Sequence, residues 1–266
     1  MATILEEITA RKRHDLQAVM ENVPAHELYH RVERLMEDGA PHRSLAEALR
    51  KSPTGIIAEF KRKSPSKGWI HREARPEDIV PAYARAGAAG LSILTDEPYF
   101  GGCNAFVETV RPLVEQPILR KDFTIDEYQV FEAKSIGADA ILLIAACLTP
   151  AECRLLGRRA KELELDVLLE IHEEREVDYL DTEYVTIAGV NNRNLHSFRT
   201  DINTSFRLSA LIPDNFVRIS ESGLSRAEDL RLLRSSGYEG FLMGEQFMKA
   251  EQPAQALQQL IQELEA

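Results

Sequence analysis

Charged and amide side chains stand at the ends of several apolar runs, a pattern better suited to acid–base chemistry than to packing. Glu59 interrupts Ile57-Ala58-Glu59-Phe60-Lys61, and Lys61 follows two positions later, on the same face of an extended segment. Glu170 closes Val167-Leu168-Leu169, and Lys121 sits in Arg120-Lys121-Asp122-Phe123. Arg193 follows Asn191-Asn192, and Glu221 lies in Ile219-Ser220-Glu221-Ser222-Gly223. Taken singly, each is most simply a solvated loop residue. The set resists that reading, because an unpaired charge within or directly after an apolar run is costly. Three carboxylates, Glu59, Glu170 and Glu221, facing two ammonium groups, Lys61 and Lys121, could offset the cost by pairing. Such a cluster also pushes pKa values apart and divides acid from base roles.

Other residues suit an anionic ligand. Ser222-Gly223 and Gly244 offer backbone N–H groups of the kind that bind phosphate, with tight turns as the competing explanation. The stretch Lys61-Arg62-Lys63-Ser64-Pro65-Ser66-Lys67 packs four basic residues into one loop. It reads either as a solvated loop or as a mobile lid carrying positive charge to a substrate. Phe100 and Phe123 offer apolar walls, although an aromatic in a loop is more often a packing residue.

These groups need a scaffold that gathers strand ends. Candidate strands fall at 56–60, 91–94, 118–120, 140–144, 167–170, 185–190, 216–219 and 241–243, with helical patterns between them. Gly87, Gly137 and Gly237 each end a helix a few residues before a strand, so the βα unit repeats. Capping-box spacing at Thr124/Glu127, Thr149/Glu152 and Ser225/Glu228, with Pro76 and Pro150 in first turns, marks helix starts. Eight units predict a (β/α)8 TIM barrel, an α/β fold whose active site lies at the C-terminal strand ends. Residues 1–50 stand outside the rhythm as an N-terminal helical extension packed on the barrel domain of 51–266. Ile4, Leu5, Ile8 and Leu16 suit one helical face, and a second short helix is expected at 44–49. The extension suits either a plug for the barrel bottom or a cover for its mouth.

The composition narrows the function. The net charge of -11 argues against nucleic acid or an anionic membrane as partner. The longest apolar run, 140–148, is too short to cross a bilayer, and the N-terminus lacks a secretory apolar core. Three cysteines without metal-ligand spacing predict neither a disulfide framework nor a zinc site, and the expected location is the cytoplasm.

Several blocks, in order along about 50–250, are specific beyond a generic barrel. They are Ile57-Ala58-Glu59-Phe60-Lys61-Arg62-Lys63-Ser64-Pro65-Ser66, Leu91-Ser92-Ile93-Leu94-Thr95-Asp96, Tyr99-Phe100-Gly101-Gly102, Leu119-Arg120-Lys121-Asp122-Phe123, Leu169-Glu170-Ile171-His172, Gly189-Val190-Asn191-Asn192-Arg193-Asn194-Leu195 and Ser220-Glu221-Ser222-Gly223. In these the chain resembles the indole-3-glycerol phosphate synthase family of tryptophan biosynthesis. The resemblance implies conversion of 1-(2-carboxyphenylamino)-1-deoxyribulose 5-phosphate to indole-3-glycerol phosphate, with loss of carbon dioxide and water and no metal or organic cofactor. It implies Lys121 as the general acid at the carbonyl and Glu170 as the acid/base of dehydration. Lys61 is implied beside Glu170 as a second acid or a countercharge. Glu59 and Glu221 would orient the lysines and hold hydroxyls, and Asn191 would position the reacting carbons. Arg193 and Ser64 would engage anionic groups, and Ser222, Gly223 and Gly244 the phosphate. Asn192 stands where serine is frequent in the family, Met243 where isoleucine or valine is, and Glu245 where a small hydroxyl residue is. The phosphate contact expected there therefore rests on backbone N–H groups. The final helical pattern at 253–264 gives no expectation of a fused second barrel. A monomer or weak homodimer is expected, with contact with other enzymes of the tryptophan pathway as a further partner expectation. The competing readings are a Schiff-base aldolase using Lys121 as nucleophile, and a phosphosugar-binding protein on an inactive barrel.

Overall fold

A computed structural model describes residues 4–39, 41–181, 183–194 and 197–266. Eight parallel strands close into a barrel: β1 (Ile56–Phe60), β4 (Gly90–Leu94), β5 (Ile118–Lys121), β6 (Ala140–Ile144), β7 (Asp166–Ile171), β8 (Ile187–Asn191), β9 (Val217–Glu221) and β10 (Gly240–Met243). Between the first two runs a short antiparallel hairpin, β2 (Lys63–Ser64) and β3 (Gly68–Trp69). Helices α4 (Pro76–Arg85), α5 (Glu97–Phe100), α6 (Asn104–Val110), α7 (Glu127–Ser135), α8 (Pro150–Glu162), α9 (Asn203–Ser209), α10 (Ala227–Ser235), α11 (Glu245–Lys249) and α12 (Pro253–Glu265) complete the βα alternation. All eight barrel strands of the sequence reading are present, each within a few residues of its expected bounds.

Strands covered on both faces read as near-continuous apolar runs, which made them legible. Alternation then sorts the side chains. Ile56, Ala58, Ile118, Val167 and Leu169 pack outward under the helices, whereas Ile57, Leu119, Leu168 and Ile219 fill the barrel interior. Two residues further along the interior face come Glu59, Lys121, Glu170 and Glu221. The strand period thus carries a dry floor upward into a charged rim.

The extension serves both ends of the barrel. Helix α3 (Leu45–Lys51) plugs the bottom, where Leu45 and Leu49 join the interior cluster. Asp166, at the start of β7, fixes it by accepting hydrogen bonds from Ser44 Oγ at 2.8 Å and Ala46 N at 3.0 Å. Helix α1 (Ile4–Asn22) instead reaches the mouth, where Ile4, Leu5 and Ile8 line the main cavity. Between them lies α2 (Ala25–Glu37), absent from the sequence reading. Its fully buried residues are Leu28 and Val32, with Tyr29 and Met36 packed beside them against the core and Tyr29 stacked on Phe131 at 3.9 Å.

Two expected helix caps differ. Thr149/Glu152 forms a reciprocal capping box, but α7 is capped by Asp126, whose carboxylate accepts from Tyr128 N at 2.9 Å, while Thr124 is buried. Helix α10 starts after Arg226, one residue past Ser225 and without a side-chain cap, and Glu228 pairs instead with the Arg226 guanidinium at 3.0 Å. Gly87, Gly137 and Gly237 all have positive φ beyond helix ends, as the repeat required.

Candidate active site

A cavity of about 210 Å³ opens at the C-terminal end of the barrel, floored by Leu142, Ile144 and Leu242. Every candidate residue of the sequence reading lines it: Glu59, Lys61, Ser64, Phe100, Lys121, Phe123, Glu170, Asn191, Arg193, Glu221, Ser222, Gly223 and Gly244. Lys121 is the hub. Its Nζ lies 2.5 Å from Glu221 Oε2 and 3.2 Å from Glu170 Oε2, joining three strands. Lys61 is paired differently from the expectation, since its Nζ lies 2.5 Å from Glu59 Oε1 and Lys121 is the ammonium that touches Glu170. Both lysines are largely enclosed, so these pairs are poorly screened.

The two carboxylates around Lys121 differ in character. Burial would raise both. For Glu170 that tendency is outweighed by Lys121, His172 and a hydrogen bond from Asn191, and its pKa falls below the usual carboxylate value. For Glu221 burial prevails over Lys121, with Glu170 and Glu59 adding repulsion, and the carboxyl is pushed up to about 7. Burial alone would depress Lys121, but Glu221, Glu170 and Glu59 outweigh it and keep the ammonium charged. One oxygen of Glu221 and the hydroxyl of Ser64 are buried with no hydrogen-bond partner among the described residues. Such unsatisfied acceptors and donors are the capacity a ligand would use.

Close packing shapes the cluster. A Cβ at Gly244 would come within 2.7 Å of Glu59, and one at Gly189 within 2.6 Å of Glu221 Oε1, so both glycines make room for a carboxylate. Ser222 and Gly223 both take positive φ, 67° and 76°, at the turn after β9. Asn192, noted in the sequence only as a departure, is what holds that turn. Its Nδ2 donates to Ser220 Oγ at 3.0 Å and to Ser222 O at 3.1 Å, while its Oδ1 accepts from Ser205 N and Oγ. Glu245 follows Gly244, but its carboxylate is engaged by Lys249 at 2.5 Å, with Arg193 at 3.8 Å. Phe100 and Phe123 stand 6.1 Å apart as tilted rings across from the turn.

The basic loop is pinned rather than free. Arg62 donates to Gly101 O at 3.0 and 2.8 Å, with its guanidinium 4.9 Å from the Phe106 ring centroid, and Lys63 donates to Pro98 O at 2.7 Å. Two of its four charges therefore anchor the hairpin, which corrects the expectation of a charge-carrying lid; Ser64, Pro65 and Ser66 are what it presents to the cavity. Sequence reasoning also missed Lys12. From α1 its Nζ reaches buried Asp96 and Asp122, both at 2.8 Å, and docks the helix over the mouth. No local pattern marks a residue whose partners lie about 80 to 110 positions away.

The model of one protein family, indole-3-glycerol phosphate synthase, matches residues 5–260. The chain belongs to the indole-3-glycerol phosphate synthase family. A relative of that name from Bacteroides thetaiotaomicron is 49% identical over 265 residues, covering 100% of each chain. Another from Magnetococcus marinus is 44% identical over 97% of each chain, and one from Acinetobacter baumannii is 41% identical over 96% of this chain and 94% of its own. Among solved structures, a thiamine phosphate pyrophosphorylase from Pyrococcus furiosus aligns with a TM-score of 0.61 at 13% identity, covering 80% of this chain and 96% of that one. At that identity the likeness is one of fold alone. Among the described residues no helix is long and apolar enough to cross a membrane.

Proposed function

We propose that the protein closes the indole ring of indole-3-glycerol phosphate from 1-(2-carboxyphenylamino)-1-deoxyribulose 5-phosphate, with Lys121 as general acid. The observation that carries this reading is the Lys121 ammonium held between Glu170 and Glu221 above the apolar floor of the cavity at the C-terminal strand ends. Aromatic walls at Phe100 and Phe123 suit the carboxyphenyl ring. The Ser222-Gly223 turn and Gly244 suit the phosphate through backbone N–H groups, with Arg193 and Ser64 at the anionic ends.

Proton flow follows from the charges. As the aromatic carbon bearing the carboxylate attacks the ketone, Lys121 gives its proton to the carbonyl oxygen. Carbon dioxide leaves, and the electrons of its bond restore the aromatic ring. The new hydroxyl then departs as water with a proton carried by Glu170, whose carboxylate must first take that proton up because it is ionised at rest. The ring-carbon proton passes back to Lys121, which is reset. Asn191 orients Glu170, and Glu59 with Lys61 holds substrate hydroxyls. Two protons are delivered and one is recovered, so each turnover takes one proton from solvent. General acid–base groups of this kind contribute about 10² to 10⁴ in rate each.

A Schiff-base role for Lys121 is disfavoured, because a nucleophilic lysine needs a depressed pKa and three carboxylates do the opposite here. Fluorescence of the indole product tests the reading directly. Purified protein with the carboxyphenylamino substrate should release it, and borohydride should trap no adduct. Absence of product, or a trapped adduct on Lys121, would overturn the proposal.

A further inference from the structure

The main cavity is oddly charged for an anionic ligand. Among the described residues five carboxylates line it, against three cations, Lys61, Lys121 and Arg193. The ring-closing substrate brings a carboxylate and a phosphate of its own, so these acids oppose its entry. Four of the five have tasks that explain them. Glu59, Glu170 and Glu221 hold the two lysines, and Asp122 is engaged by Lys12, Arg120 and Thr95. The fifth is Glu245, whose ion pairs are with Lys249 and Arg193 and with neither lysine of the cluster.

Glu245 opens α11 directly after Gly244, at the wall that the ring-closing reading gives to the phosphate. Its two oxygens have different partners. Oε1 lies 2.5 Å from Nζ of Lys249, one helical turn along and half-exposed, whereas Oε2 faces Arg193 Nη2 across 3.8 Å. The other end of that guanidinium, Nη1, donates only to a backbone carbonyl, Phe198 O, at 3.3 Å. Burial favours the neutral acid, but Lys249, Lys61 and Arg193 outweigh it and hold the Glu245 carboxyl below its usual value. Arg193 therefore faces a standing anion where it is to receive the substrate's. A first-turn acid with a lysine four residues on is an ordinary helix-stabilising pair, and that accounts for Lys249. It does not account for the second oxygen, turned toward the arginine of the cavity.

We propose that Glu245 is a specificity-determining residue, which competes with the ligand's anionic end for Arg193 and holds down the affinity for phosphate. The inference rests on the ring-closing reading, in which substrate and product carry the same phosphate to and from this wall. Binding energy from a group common to both lowers KM without speeding the chemical step, and it slows product release. A fixed carboxylate beside Arg193 offsets that grip. It also makes the phosphate insufficient by itself. Inorganic phosphate and small phosphate esters lack the aromatic ring that suits Phe100 and Phe123, so they occupy the site weakly, whereas the full substrate adds the aromatic contact.

The test is a substitution that should improve binding. Glu245→Gln keeps the length of the side chain and removes its charge. We expect KM and the inhibition constant of inorganic phosphate to fall together, by about fivefold, and the gain to shrink as salt is raised. Glu245→Asp keeps the charge and should stay within about twofold of wild type on both measures. A role confined to the start of α11 predicts otherwise, namely a lower melting temperature for Glu245→Gln with phosphate inhibition unchanged. Two results would overturn the inference: phosphate inhibition unchanged or weaker in Glu245→Gln, or a gain in Glu245→Asp equal to that in Glu245→Gln. Wild-type turnover in the same buffer separates the two proposals. No indole product from wild type sinks the ring-closing reaction, whereas normal wild-type turnover with either overturning result sinks the role of Glu245 alone.

Discussion

Both ends of the barrel bury carboxylates, but they treat them differently. At the bottom, Asp166 receives Ser44 Oγ and Ala46 N on one oxygen, and Asp139 receives Ile118 N at 2.8 Å and Arg111 Nη1 at 2.6 Å. Much of that donation comes from backbone N–H groups fixed by strands and the α3 cap. At the top, Glu221 leans on the one ammonium of Lys121, leaves its second oxygen unpartnered and has a pKa pushed up to about 7. Saturated acids lock a chain in place, whereas under-satisfied ones keep protons in play. The fold keeps its stability at the strand starts and its chemistry at the strand ends.

Mutations at the two ends should therefore fail in different currencies. Leu49→Ala at the bottom plug should cost about 3 kcal/mol of stability, read by denaturant unfolding, with kcat per folded molecule unchanged. Lower kcat in the folded fraction would break the division between the ends. Lys12→Met keeps the apolar stem but frees α1 from Asp96 and Asp122, so its effect belongs to the mouth. Steady-state kinetics should show KM rising about tenfold, roughly 1.4 kcal/mol, with little change in kcat. Glu221→Gln sharpens the comparison most finely. Glu221 is the strongest attractive partner holding Lys121 charged, so its loss lowers the Lys121 pKa. An acid that must be protonated then fails sooner as pH rises, and the alkaline limb of kcat/KM should move to lower pH. An unmoved limb would detach Glu221 from Lys121's protonation.

The same contrast explains what the sequence made legible. Strand interiors and the set of rim charges stood out because alternation and the cost of burying charge leave local marks, as at Glu59 and Glu170. Pairing did not, since Lys61 and Lys121 each had several carboxylates to choose from and only the barrel's closure assigns them. Lys12 and Asn192 were missed as positioning residues because their partners come from distant turns. Helix α2 was passed over although Leu28, Tyr29, Val32, Leu35 and Met36 recur at helical spacing, a signal that was present in the sequence. The basic loop misled because its composition suits a lid, while Gly101 O and Pro98 O, far along the chain, pin Arg62 and Lys63.

The central claim, that the Lys121 ammonium is the acid that drives ring closure, is tested most directly by Lys121→Ala. Turnover is followed by indole-product fluorescence and substrate affinity by equilibrium binding. Turnover should fall about 10³-fold while substrate still binds; turnover near the wild-type rate would contradict the account.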